Sequence, residues 1–141
     1  MNRPLLAATL LATFTALLHT FVGTPEIEGP LLQSGLPSEV SLLLLACWHL
    51  VTAALVISAL ALGLALRPTA AWARATVRLV SYLWLSFGTV FVLVDLIYVG
   101  PAMLLRLPQW VLLLPVGALG LWGARVDRRK QIDAGAGAAF A

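Results

Sequence analysis

The chain has few charged residues and a single cysteine, and both shortages limit the kinds of protein that it can be. Only 11% of its 141 residues are Asp, Glu, Lys or Arg, whereas 61% are hydrophobic. A soluble domain of this length does not need so much apolar surface, so the composition indicates an integral membrane protein. Cys47 has no second cysteine in the chain, which excludes an intramolecular disulfide and paired-thiol redox chemistry. We expect Cys47 to be a small buried apolar residue.

Motifs that would indicate an enzyme are also missing. The sequence has no nucleophile paired with a base, no phosphate-binding loop and no recognisable cofactor motif. It also lacks the HxxxH or ExxH spacing that would place two metal ligands on one face of a helix. These absences argue against enzymatic activity without excluding it.

Long apolar runs are what the sequence does contain, and four of them predict transmembrane helices. About twenty apolar residues, at 1.5 Å each, cross a hydrocarbon core of roughly 30 Å. The runs cover residues 4–22, 40–66, 77–99 and 108–124. The fourth is short and contains Pro115, and the apolar stretch 103–107 before it is either an interfacial turn or the true start of the span.

The expected fold is therefore all-α, a four-helix transmembrane bundle built from two in-out-in hairpins. Residues 1–133 form a single membrane domain, and the Gly- and Ala-rich residues 134–141 form a disordered tail. Arg3 precedes the first run as in a signal peptide, but residues 18–23 lack the paired small residues that signal peptidase requires. We expect this run to be retained as a membrane anchor.

The basic residues predict the orientation. Threading four helices back and forth leaves Arg106 alone on one side and all other bases on the opposite side: Arg3, Arg67, Arg74, Arg78, Arg125, Arg128, Arg129 and Lys130. The positive-inside rule then makes both termini cytoplasmic, in a bacterial inner membrane. Topology and anionic lipid head groups explain the net charge of +3, so we expect the lipid bilayer, and no nucleic acid, as its partner.

Three ionisable side chains, His19, His49 and Asp95, lie inside the apolar runs. Ionisable groups within a membrane usually serve a function. Counting from the predicted outer ends places all three roughly 5 to 9 Å below the outer boundary, in one layer of the outer leaflet. The helical period puts each of them on a face of small or weakly polar residues, where it would meet other helices.

Two kinds of function remain open for this layer. The first is an accessory or assembly protein in which a histidine hydrogen-bonds Asp95 and the layer is structural. The second is a ligand-binding or coupling protein. It would use the layer as a Zn, Fe or Mn site with Tyr98, Glu26 or Glu28 nearby, as a haem site with two histidine ligands, or as a proton relay.

The segment 23–37 joins the first two runs and contains three prolines and three glycines. This composition predicts a turn-rich cap and neither a helix nor a strand. Glu26 and Glu28 would gather cations from outside, or Glu28 or Glu39 would pair with Arg106.

Glycines in the last run offer a further contact. Gly117, Gly120 and Gly123 follow one another at three-residue intervals, a spacing that allows helices to approach closely. They favour a homodimer or association with a larger membrane complex.

The first half of the chain runs from His19 and Gly23 through Pro30, Leu31 and Leu32 to Trp48 and His49. This run resembles small, uncharacterised bacterial four-helix membrane proteins, and the resemblance implies a membrane fold and no particular activity. The size is also similar to that of small multidrug-resistance transporters. Their essential glutamate in the first helix is absent here, where His19 is the only ionisable group within the run, and this puts drug export in doubt.

Overall fold

Helices make up all the regular structure of the described chain. A computed structural model describes residues 2–67 and 72–138. Its helices are α1 (Arg3–Leu18), α2 (Thr24–Leu32), α3 (Ser38–Leu64), α4 (Ala73–Tyr98) and α5 (Trp110–Ala138). A π-helical turn, His19–Gly23, joins α1 to α2 in one run of 30 residues, so the chain forms four rods. A short 3-10 turn, Pro101–Leu105, precedes α5.

Three of these rods are long and apolar enough to cross a membrane: Arg3–Leu32, α3 and α4. The apolar part of the fourth, Trp110–Val126, is shorter. The predicted all-α fold is confirmed, with three helices of membrane-spanning length and a shorter apolar fourth.

The rods pack as antiparallel neighbours. α1 lies between α3 and α5, and α4 packs closely on α5 and less extensively on α3. Thr9 near the start of α1 approaches Gly63 near the end of α3, while Gly23 after α1 approaches Trp48 nearer the start of α3. One continuous core joins the rods, and it includes Leu5, Ala12, Leu55, Leu62, Val77, Trp84, Leu113 and Val116.

Glycines bring α5 close to its two neighbours. A methyl group on Gly117 would lie 2.6 Å from the carbonyl oxygen of Ser81, and one on Gly120 would meet the Ser81 hydroxyl. A methyl group on Gly123 would lie 3.0 Å from the backbone nitrogen of Leu5 in α1. The glycine series that suggested a contact with another chain therefore faces α4 and α1 of its own chain.

The segment predicted to be a turn-rich cap is largely helical, so that prediction is wrong. Residues 24–32 form α2 directly after the π turn. Proline lacks an amide hydrogen and its ring crowds the carbonyl four residues earlier, and the wider π turn immediately before Pro25 accommodates both effects. Extending an existing helix also avoids the cost of nucleating a new one.

The last helix is longer than predicted. It begins at Trp110 and continues to Ala138, so the structure has helix over residues 134–138 of the predicted disordered tail. Alanine is the strongest helix former, and extension from α5 adds one hydrogen bond per residue. Residues 139–141 of that tail lie outside the described residues. Of the two alternatives for the stretch 103–107, the structure has a separate turn before the helix.

Five hydroxyl groups in the helices are satisfied locally. They donate to the carbonyl oxygen four residues earlier, at 2.6 to 2.9 Å, and belong to Thr9, Thr13, Thr15, Thr20 and Ser81. A helix that bonds its own hydroxyls in this way leaves few polar groups that require water.

Candidate functional site

His19 lies at the contact between α1 and α3, where it stacks on Trp48. The two ring centroids are 4.0 Å apart and the planes differ by 16°. Nε2 of His19 lies 3.4 Å from the carbonyl oxygen of Trp48, which accepts a hydrogen bond when Nε2 carries the proton. The small-residue face predicted for His19 is confirmed, since Ala12 and Ala16 are buried on the same stripe.

The π turn completes this arrangement. The indole Nε1 of Trp48 donates to the Thr24 hydroxyl at 3.0 Å, and that hydroxyl donates to the carbonyl oxygen of His19 at 3.4 Å. A methyl group on Gly23 would lie 3.0 Å from the Trp48 ring, so glycine allows the indole to pack on the backbone. These four residues, His19, Gly23, Thr24 and Trp48, form what we call the His19 cluster.

His49 lies on a different side of α3. It follows Trp48, and successive helical residues project about 100° apart. Its side chain is exposed, as are those of Ala46, Ala53 and Val56 on the same stripe. The stripe is therefore largely exposed in the single chain, and the expectation that it meets other helices stays a prediction. Because α3 is apolar almost all the way round, its pattern does not identify the side that meets α1.

Asp95 is buried near the end of α4, with 1% of its surface exposed. Ser81, Trp84 and Gly88 are buried on the same helix, as the sequence predicts. The Oδ2 atom of Asp95 has no hydrogen-bond partner, and neither does the indole nitrogen of Trp84. Buried polar groups are normally paired, so each of these atoms requires an explanation.

The described residues do not join all three predicted side chains in one site, although His19 and His49 lie near enough for their charges to interact. No hydrogen bond or ion pair joins either histidine to Asp95 in the described part of the chain. Within residues 2–67 and 72–126, whose side chains are described, no three His, Cys, Asp or Glu residues form a group that could hold a metal ion. His19 lies in the contact between α1 and α3, Asp95 is buried on α4, and His49 is exposed.

The other candidates lie on the surface. Tyr98 is 79% exposed, so it does not share the buried face of Asp95. Glu26, Glu28 and Arg106 are exposed, and Arg106 makes no ion pair with any described residue. Cys47 is exposed as well, so its prediction as a buried residue is wrong.

Sequence reasoning missed two residues that position the helices. Thr24 belongs to the His19 cluster, and nothing distinguished it from its neighbours in the segment 23–37. Asn2 caps α1, because its Oδ1 accepts from the amide of Leu5 at 3.1 Å, and its Nδ2 donates to the carbonyl oxygen of Gly123 at 2.8 Å. Asparagine shortly before a proline at a helix start is a recognisable N-cap pattern.

Comparison with known proteins adds no family. No protein-family model, no curated protein and no solved structure matches the chain. The functional argument therefore rests on the geometry of its own residues.

Proposed function

We propose that the protein is a small polytopic protein of a bacterial inner membrane, with both termini cytoplasmic, that acts as an accessory or assembly subunit. It would do so by docking a helix of another chain on the exposed side of α3. The observation that carries this proposal is the exposure of His49, an ionisable residue, near the middle of a largely apolar helix.

The arrangement of the bundle supports the orientation. Antiparallel packing places the starts of α1 and α4 and the end of α3 at the same end of the molecule, together with the end of the apolar part of α5. The exposed bases Arg3, Arg67, Arg78 and Arg125 lie at these positions. A cluster of arginines at one end of a bundle is typical of its cytoplasmic end.

The depth of His49 supports the docking role. The middle residue of α3 is Val51, so His49 lies about 3 Å from mid-helix along the axis. With α3 centred in a core of roughly 30 Å, the imidazole is about 12 Å below the outer boundary. That is deeper than the sequence predicted and too deep for so short a side chain to reach water. A polar group left unpaired in apolar surroundings costs about 1 to 3 kcal/mol, which a partner helix would offset.

The His19 cluster supports the structural half of the proposal. Its ring stack and its hydrogen bonds link α1, the π turn and α3, as expected of a residue that holds helices together. In this proposal His19 holds α3 in position through Trp48, and His49 therefore faces outward from α3.

A photo-crosslinking amino acid tests the docking role in intact cells. It is placed at position 49 and, as a matched control, at Leu50, which is 69% exposed and projects about 100° away on the same helix. We expect position 49 to give protein adducts and position 50 to give mainly lipid adducts. Lipid adducts alone at position 49 would contradict the docking role.

A second candidate function, cation or proton coupling, is favoured by one observation, the unpartnered Oδ2 of buried Asp95. A carboxylate without a partner has capacity to bind a proton or a cation. Adding mono- and divalent cations to the purified protein tests this. A rise in thermal stability that disappears in Asp95→Asn would favour coupling, and no rise would leave Asp95 without this role.

A further inference from the structure

We propose that a groove between α1 and α5 binds one anionic phospholipid, with the phosphate at Arg3 and the first part of an acyl chain along the groove. Its volume is about 530 Å³, which is within the range of small-molecule sites. Six residues line it: Arg3, Pro4, Ala7, Leu119, Trp122 and Val126. None of the six belongs to α3, so the site is independent of the docking role.

One end of the groove is positively charged. Arg3 is the one charged residue among the six, and its side chain is exposed. Among residues 2–67 and 72–126 it has no ion-pair partner. A guanidinium presents paired N–H groups that match two oxygens of a phosphate. A second exposed base, Arg125, lies next to Val126 in α5, so this end favours a lipid whose head group carries net negative charge.

The groove runs from this charged end toward the middle of the bundle. Ala7 lies about 6 Å along α1 from Arg3, and Leu119 lies about 10 Å along α5 from Val126. The polar interface on each side of a bilayer is roughly 5 to 7 Å thick. A groove of this length therefore begins among the head groups and ends in the hydrocarbon.

Trp122 lies on the groove and is 59% exposed. Tryptophan is enriched at membrane interfaces, where its ring is apolar and its N–H polar. The indole nitrogen makes no hydrogen bond to any described residue. It can donate to a phosphate or ester oxygen of a lipid whose phosphate is at Arg3.

The deeper end of the groove continues onto an apolar surface. Ala7 is exposed, and its methyl side chain leaves space beside α5. Leu10 and Phe14, 62% and 54% exposed, follow it on the same side of α1. An acyl chain that enters along Ala7 can continue over these two side chains. The order of a guanidinium, an indole and then aliphatic groups matches the order of phosphate, ester and hydrocarbon in a phospholipid.

Native mass spectrometry of the full chain in detergent tests the charged end by counting bound lipid. The probes are phosphatidylglycerol and phosphatidylcholine with identical acyl chains. The wild type should bind one phosphatidylglycerol in preference to phosphatidylcholine. Arg3→Gln should weaken phosphatidylglycerol binding about 5-fold, the equivalent of roughly 1 kcal/mol for one base near an anionic membrane surface. Equal binding of the two lipids by the wild type would overturn the choice of an anionic lipid.

Arg78→Gln is the matched control for charge. It removes an exposed base at the same end of the bundle, outside the groove, and should leave lipid binding unchanged. Equal losses in Arg3→Gln and Arg78→Gln would mean that overall charge attracts the lipid, and would overturn the site.

Filling the groove tests its apolar part separately. Ala7→Phe should lose most of the bound lipid of either kind, because the ring occupies the path of the acyl chain. Ala53→Phe, at an exposed position of α3 outside the groove, should bind lipid as the wild type does. Unaltered far-UV circular dichroism checks that the variants remain folded. Undiminished binding by Ala7→Phe would overturn the groove as the site.

A photo-crosslinking amino acid at position 7 tests the occupant in intact cells. We expect adducts with anionic phospholipid, identified by their mass. Adducts with a protein chain in place of lipid would overturn the proposal and assign the groove to a helix of another chain.

Discussion

Gly117→Ala should destabilise the bundle, because Gly117 lies where α5 comes closest to α4. The added methyl group would be 2.6 Å from the Ser81 carbonyl oxygen and 2.6 Å from Cγ of Leu85. The Leu85 side chain can rotate, whereas the carbonyl belongs to the backbone of α4. Overpacking of this kind costs about 1 to 3 kcal/mol, and the backbone contact favours the upper end.

Helix propensity offsets part of this cost. Alanine is about 1 kcal/mol better than glycine within a helix, so the net loss for Gly117→Ala is about 2 kcal/mol, roughly a 30-fold change in the unfolding equilibrium. Gly29→Ala is the matched control, since Gly29 is helical in α2 and a methyl group there has no atom within 4 Å. We expect that variant to be as stable as the wild type or more stable by up to about 1 kcal/mol.

Unfolding in mixed micelles with increasing denaturing detergent, followed by far-UV circular dichroism, measures both changes. We expect Gly117→Ala to lower the detergent midpoint of unfolding and Gly29→Ala to leave it unchanged or raise it. Equal stability of the two variants would refute the close approach of α5 to α4.

Three further predictions concern single contacts and topology. Asn2→Ala should lower thermal stability by about 1 to 2 kcal/mol, since α1 loses its cap and the hydrogen bond to Gly123; an unchanged melting curve would show that neither bond contributes. Trp48→Phe keeps one aromatic ring but removes the donor to Thr24 and part of the packing on Gly23, so chemical denaturation should show a loss of at least about 0.5 to 1.5 kcal/mol, and Thr24→Val should add little to it. A fluorescent protein that matures only in the cytoplasm, fused to the C terminus, should fluoresce, and a dark fusion would reverse the proposed orientation.

The buried carboxyl group of Asp95 gives a fifth prediction, in which the substitution raises stability. Asp95→Val replaces a group whose Oδ2 has no partner with an apolar side chain of similar size, so stability should rise by roughly 1 to 3 kcal/mol. Thermal unfolding in detergent measures this. A lower melting temperature in the variant would mean that the carboxylate has a stabilising partner.

The existence and approximate position of the helices could be predicted from the sequence, because an apolar run of this length has few alternatives to a membrane helix. The face of α1 was also predictable, since its alanines stand out from leucines and threonines on the other sides. The buried side of α4 was predictable for the same reason, from Ser81, Trp84 and Gly88.

The faces of α3 and the course of segment 24–32 could not be predicted in this way. α3 carries small residues on more than one side, so its periodicity favours no side, and the contact with α1 places His49 outward. In segment 24–32, glycine and proline indicated a turn, but the helix continues through the π turn at His19–Gly23, where Trp48 packs on Gly23. Contacts between distant residues decided both outcomes.

The mass of the protein particle extracted together with its native lipids tests the central claim most directly. If the exposed side of α3 docks a helix of another chain, mass spectrometry of the wild-type particle should give more than one chain, and two chains of 15.0 kDa if the partner is a second copy. His49→Leu should shift the particle toward a single chain. A wild-type particle holding one 15.0 kDa chain and lipid would contradict the account.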